Sequence, residues 1–161
     1  MPPLCENFSL NVAGKMDHPL SNRSTAFALS VLLTAVSVGP AASAERLLFF
    51  GDKNTFHGCL NCGRYDDESI CNKFGDFGSK YNSESIWNKF GDVGSKYQDQ
   101  SPWNKFGKGL KIVDEKGHFY GRFSNNKHAR DRVRNDALNS WFELYERLDD
   151  LEAVRNMVCG E

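Results

Sequence analysis

The stretch from Tyr65 to Gly107 reads YDDESICNKFGDFGSK (65–80), YNSESIWNKFGDVGSK (81–96) and YQDQSPWNKFG (97–107). The first two copies agree at 12 of 16 positions, and the third matches the second at 7 of its 11. Agreement at that level records duplication of a 16-residue unit. Ser69, Ser85 and Ser101 precede the bulky pair of each copy, as N-caps of a short helical turn do. Gly75, Gly91 and Gly107 are placed to end that turn in the left-handed conformation. The Gly-Asp-x-Gly-Ser segments that follow are turn chemistry. Compact turns are therefore expected over 65–107, without long helices or strands.

Each copy carries the same set of rings. Trp87 and Trp103 occupy a slot that Cys71 fills in the first copy, so the slot is expected to be buried and Cys71 to meet another cysteine there. Tyr65, Tyr81 and Tyr97, with Phe74, Phe90 and Phe106, are expected to stack against one another between copies. So few copies need caps, and the flanks supply them. Arg46–Phe50 reads as a strand. Lys111–Val113 and His118–Phe123 read as a hairpin over 110–123, turning at Asp114-Glu115-Lys116-Gly117. Residues 129–158 read as helical, with Val133, Ala137, Trp141, Leu144, Leu148, Leu151 and Val158 as the apolar stripe. Asp149-Asp150 is a point where that helix breaks and a second begins. The expected class is α+β: turn-rich repeats and a small antiparallel hairpin, covered by a C-terminal helix and stapled by disulfides.

Working outward to the N-terminus, residues 1–44 carry the parts of a secretory signal. Arg23 gives charge, Ala26–Gly39 gives 14 apolar or small residues, and Ala42-Ser43-Ala44 gives a cleavage site. Met16 is a plausible start within it. A membrane span needs roughly 20 apolar residues, so no permanent anchor is expected. A single mature domain over 45–161 follows, located in the periplasm or outside the cell. It holds 18 basic and 19 acidic residues. That balance gives no global attraction to nucleic acid or anionic membrane, and strong nucleic-acid binding is not expected.

Removing the leader removes Cys5 and leaves Cys59, Cys62, Cys71 and Cys159. In an exported small domain these read as two disulfides, with three pairings open. Short-loop closure favours Cys62–Cys71 with Cys59–Cys159. The alternatives for Cys59-Leu60-Asn61-Cys62 are a redox thiol pair, or a metal site with His57 and Cys71. Neither has its context, and no metal or cofactor is expected. Asp66-Asp67-Glu68, Asp76 and Asp92 offer too few converging carboxylates for calcium.

Two surfaces are candidates for binding. Asn72, Asn88 and Asn104, with Lys73, Lys89 and Lys105, recur beside Trp87 and Trp103 and could meet a polymer at regular intervals. The competing reading is that each Asn satisfies backbone groups in its own turn. Lys127, Arg130, Arg132 and Arg134, with His128 among them, form a candidate anion site before the helical stretch. No Ser-His-Asp, GxSxG, HExxH or phosphate-loop pattern is present.

The segments GCLNCGRYDDESICNKFG (58–75), GSKYNSESIWNKFG (78–91), SPWNKF and IVDEKGHFYGRF resemble a set of small secreted bacterial proteins of no established activity. In some of those a similar segment lies beside a secreted thermonuclease-like domain. The likeness covers about Phe49–Phe123 and carries over no catalytic residue. The expected function is an exported, non-enzymatic structural or binding protein, its partner an envelope glycan or another exported protein. The alternative is a secreted thiol-redox or hydrolytic enzyme.

Overall fold

The computed structural model describes residues 44–160. The leader and the Met16 start lie outside the described residues. Four strands form one antiparallel sheet: β1 (Leu47–Phe50), β2 (Phe56–Cys59), β3 (Leu110–Asp114) and β4 (Phe119–Phe123), in the order β2-β1-β3-β4. Two helices follow, α1 (Asp136–Leu148) and α2 (Leu151–Cys159). The chain is thus α+β, and the expected hairpin is the β3–β4 pair, with Leu110 opposite Phe123. Its turn closes by a hydrogen bond from the Gly117 N–H to the Asp114 carbonyl (3.0 Å). Gly117 has φ of 85°, a conformation that L side chains rarely adopt.

Strand β2 carries no alternating pattern, since FHGC offers one large apolar residue. Pairing with β1 makes it a strand, and Gly58 (φ 106°) lets it run where a Cβ would strike Phe77 and Ile70. The C-terminal region is helical from Asp136 only, not from 129. Residues 131–133 instead run along the edge of β4: the Arg122 N–H donates to Asp131 (2.7 Å) and the Val133 N–H donates to Arg122 (2.8 Å). Asn135 then caps α1, its side chain accepting from the Leu138 N–H (3.0 Å). The break at Asp149-Asp150 is present. Asp149 is left-handed (φ 47°) and ends α1, and Asp150 caps α2 through the Glu152 and Ala153 amides.

The inward face of α1 is Leu138, Trp141, Phe142 and Tyr145, while Ala137 and Leu148 of the expected stripe are exposed. These rings meet the sheet at Phe123, whose centroid lies 4.5 Å from Phe142 and 5.5 Å from Trp141. Phe49 stacks on the other side of Phe123 at 5.4 Å. The core continues into the repeats through Trp103 and Trp87, 5.6 Å apart.

Residues 60–109 contain turns and an isolated bridge, Cys59 to Ser69, but no helix or strand. The same hydrogen bonds recur at an interval of 16. Asn72, Asn88 and Asn104 N–H groups donate to the carbonyls of Ser69, Ser85 and Ser101 (3.2–3.3 Å). The serine hydroxyls are buried and accept from the amide two residues on, at Cys71, Trp87 and Trp103. They close turns rather than cap helices. The indole N–H of Trp87 donates to the Ile70 carbonyl and that of Trp103 to Ile86, both at 2.6 Å, which ties each copy to the one before.

The repeat glycines have a different cause from the one expected. Gly75, Gly91 and Gly107 are not among the positive-φ residues. A Cβ on Gly91 or Gly107 would lie 2.6 Å from the carbonyl oxygen of Ser83 or Asp99. Gly78 and Gly94 press still closer, onto the backbone of Asn72 and Asn88. The clash at Gly94 is with backbone, which cannot swing aside. Gly94→Ala is therefore expected to cost about 1–3 kcal/mol or more, read as a lowered urea midpoint. Gly63→Ala, where a Cβ meets open space, is the control.

Candidate functional site

The four cysteines pair as Cys59–Cys62 and Cys71–Cys159, with Cα separations of 5.5 and 5.4 Å. This corrects the expected pairing. Cys59 ends β2, and the chain turns back at once, so Cys62 is its nearest partner. Cys71 sits in the tryptophan slot, as expected, and that slot faces the end of α2. The Cys59–Cys62 sulfurs are buried beneath Arg46, whose Nε lies 3.1 Å from Cys62 Sγ. With all four sulfurs paired, the CxxC stands in its disulfide form.

Six residues of the candidate polymer face, Trp87, Asn88, Lys89, Trp103, Asn104 and Lys105, line surface cavities. Trp87 and Trp103 are 2% and 1% exposed and belong mainly to the core, leaving only a narrow edge of each ring on the cavity walls. The asparagines are also consumed internally. Each side-chain amide donates to the carbonyl six residues back, at Asp66, Asn82 and Gln98. Each side-chain oxygen accepts from the amide two residues on, at Phe74, Phe90 and Phe106. They are the turn residues of the competing reading.

What the repeats present to solvent is their other rings. Tyr65, Phe74, Tyr81, Phe90, Tyr97 and Phe106 are all more than 80% exposed, where stacking between copies was expected. The reason is steric. Ile70 and Cys71, Ile86 and Trp87, and Pro102 and Trp103 fill the interiors of the three copies, and the Asn turn directs the next-but-one ring outward. Each ring follows a cation directly: Arg64-Tyr65, Lys73-Phe74, Lys80-Tyr81, Lys89-Phe90, Lys96-Tyr97 and Lys105-Phe106. In the first five the cation lies 5.1–6.0 Å from the ring centroid. The spacing alternates between nine and seven residues. That basic–aromatic alternation is a signal the sequence carries alongside the Asn, Lys and Trp of each site.

The helices form the opposite wall. Lys80 pairs with Glu152 (2.8 Å), Lys96 with Asp149 (3.4 Å) and Lys105 with Glu146 (3.1 Å). These pairs are exposed and each contributes little stability, but they fix where the lysines stand. Hydrogen bonding to Glu152 raises the Lys80 pKa, and Lys105 holds the Glu146 carboxyl below its usual range. Between rings and helices lie three cavities. One of about 490 Å³ has Tyr97, Phe106 and Glu146 on its walls. Another, of about 430 Å³, has Tyr81, Phe90 and Glu152. Shifting Lys80, Tyr81, Trp87, Asn88, Lys89 and Phe90 by 16 residues gives the repeat residues of the first cavity. A third, of about 400 Å³, lies between Phe90 and Tyr97 and shares residues with both. The three form one continuous groove.

The four residues of the candidate anion site do not converge. Lys127 and Arg132 line a small cavity of about 170 Å³ together with Glu143 and Glu146, while Arg130 and Arg134 are exposed and do not line it. Arg132 donates to the Ser124 carbonyl (2.7 Å) and lies over Phe142, so its guanidinium is structural. His128 is exposed beside them.

Two acid-sensitive groups lie apart from the groove. Burial opposes ionisation of Asp114, but hydrogen bonds outweigh it. They come from the His118 N–H and ring, the Tyr120 hydroxyl and the Lys116 N–H, and hold the carboxyl at about 2. Burial pushes His57 below its ordinary 6.5, against the pull of Glu84 at 3.1 Å. In both cases the unfolded chain binds the proton more readily, so stability is lost as pH falls. The His57 contribution fades below 6.5 and that of Asp114 between 3.8 and about 2. Melting temperature against pH is expected to show both declines. His57→Gln should flatten the first and Asp114→Asn the second.

Among the described residues no helix is long and apolar enough to cross a membrane, and no cluster of His, Cys, Asp and Glu is arranged to hold a metal. No protein-family model, curated protein or solved structure matches this chain.

Proposed function

We propose that this chain is an exported, non-enzymatic binding protein of the periplasm or extracellular space, whose 16-residue copies act together as one ligand-contacting face. The observation that carries the reading is the groove: two cavities whose repeat residues superpose by a shift of 16, joined by a third. A face that repeats along its length suits a ligand that repeats along its own, such as an envelope polymer. Two disulfides suit an oxidising compartment, in keeping with the leader and with the resemblance to small secreted bacterial proteins. Six rings left in water by a chain that buries its tryptophans are a cost that binding explains.

The test is retention of the mature, oxidised protein on peptidoglycan, polysaccharide and other envelope fractions. A Tyr81→Ala, Tyr97→Ala double variant is run beside it. Retention that the double variant loses supports the reading. Equal retention of both, or of neither, overturns it.

A further inference from the structure

The chemistry of the groove narrows its ligand, provided the groove is the binding face as read above. Its three cavities are lined by four ammonium groups (Lys80, Lys89, Lys96, Lys105) and four carboxylates (Glu146, Asp149, Asp150, Glu152). Cations drawn from the repeats are matched by anions drawn from the helices. The groove therefore carries no formal net charge, and a polyanion gains nothing from its field. Its floor is aromatic, because the narrow exposed edges of Trp87 and Trp103 line the cavities between the protruding rings.

What remains is a row of protruding rings, Tyr81, Phe90, Tyr97 and Phe106, facing a wall of donors and acceptors. Flat apolar faces combined with both donors and acceptors at the rim match one ligand chemistry well. A sugar ring has a C–H face to lay on an aromatic ring, and hydroxyls that donate and accept at its edge. We propose that the groove binds a linear, uncharged glycan, with successive sugars seated between these four rings. Neighbouring cavities then act as tandem subsites, and occupancy of one raises the effective concentration at the next.

Calorimetric titration of the full mature protein tests this. The titrants are chito- and cello-oligosaccharides of increasing length, polyphosphate, and an uncharged extended peptide. The glycan affinity is expected to rise more than about tenfold from the shortest oligomer to one that spans the groove, and to change little with salt. Phe90→Ala and Tyr97→Ala are each expected to weaken it about tenfold or more, as loss of an aromatic anchor does. Tyr97→Trp is expected to restore binding. Because these side chains stand in solvent, unchanged melting temperatures confirm that the variants fold.

Salt-dependent binding of polyphosphate alone, or binding of the peptide alone, overturns the glycan assignment. If Tyr97→Ala abolishes such binding, the groove still stands as the binding face. Glycan binding indifferent to both alanine variants places the site elsewhere. No binding to any oligosaccharide defeats the glycan assignment, and retention on envelope fractions then decides separately whether the groove binds at all.

Discussion

Trp103→Ala is expected to lower stability by about 3–5 kcal/mol, the cost of emptying a large core site. Trp103 is 1% exposed and meets Tyr145 at 5.1 Å, Phe142 at 5.7 Å and Phe123 at 6.0 Å. Truncation also strips the Ile86 carbonyl of its indole donor, and a buried acceptor left bare costs about 1–3 kcal/mol where no water replaces the bond. In a domain of this size the melting temperature should fall by roughly 10–20 °C. Tyr97→Ala, only six residues away but 84% exposed, should change stability by no more than about 0.5 kcal/mol. Urea unfolding of the pair tests which rings of a copy face inward. Equal losses would mean that the tyrosines stack in the interior after all.

Removing the Cys71–Cys159 disulfide with Cys71→Ser, Cys159→Ser is the second large effect. The bridge spans 88 residues of sequence, against three for Cys59–Cys62. Loop closure in the unfolded chain then gives about 4–5 kcal/mol for the long bridge and about 1.5–2 for the short one. The long bridge also joins the first copy to the end of α2. Its loss should therefore let α2 open locally, with amide exchange rising first at Val154 to Val158. Denaturant midpoints of the two double-serine variants check the ranking. A larger loss from the Cys59–Cys62 variant would show that strand pairing at β2, not loop length, sets the effect.

The parts of the fold legible in the sequence are those whose signals are local. The β3–β4 hairpin announced itself through alternating residues around a turn ending in glycine, and the Asp149-Asp150 break through capping chemistry. Strand β2 and the 131–133 edge segment were hidden because partners distant in sequence create them. The cysteine pairing followed the same rule: short-loop reasoning chose Cys62–Cys71, whereas the fold brings Cys71 to Cys159. At the candidate site the period was plain and its polarity was not. A 16-residue repeat says which residues are equivalent, but not which of Tyr, Trp and Phe turn inward. Backbone closeness decides that. The bare glycines let each turn press onto neighbouring backbone, and the slot inside holds Cys71, Trp87 or Trp103.

The contacts from the repeats' basic residues to the helices run in a consistent order. Arg64, Lys80, Lys96 and Lys105 reach Gly160, Glu152, Asp149 and Glu146, so the repeats advance as the helices are read backwards. The helix pair thereby acts as a gauge for the array. Duplication can add a copy in one genetic event, but a fourth would extend past the carboxylates that receive the present three. Copy number is thus matched, in this chain, by the row of carboxylates that the C-terminal third supplies.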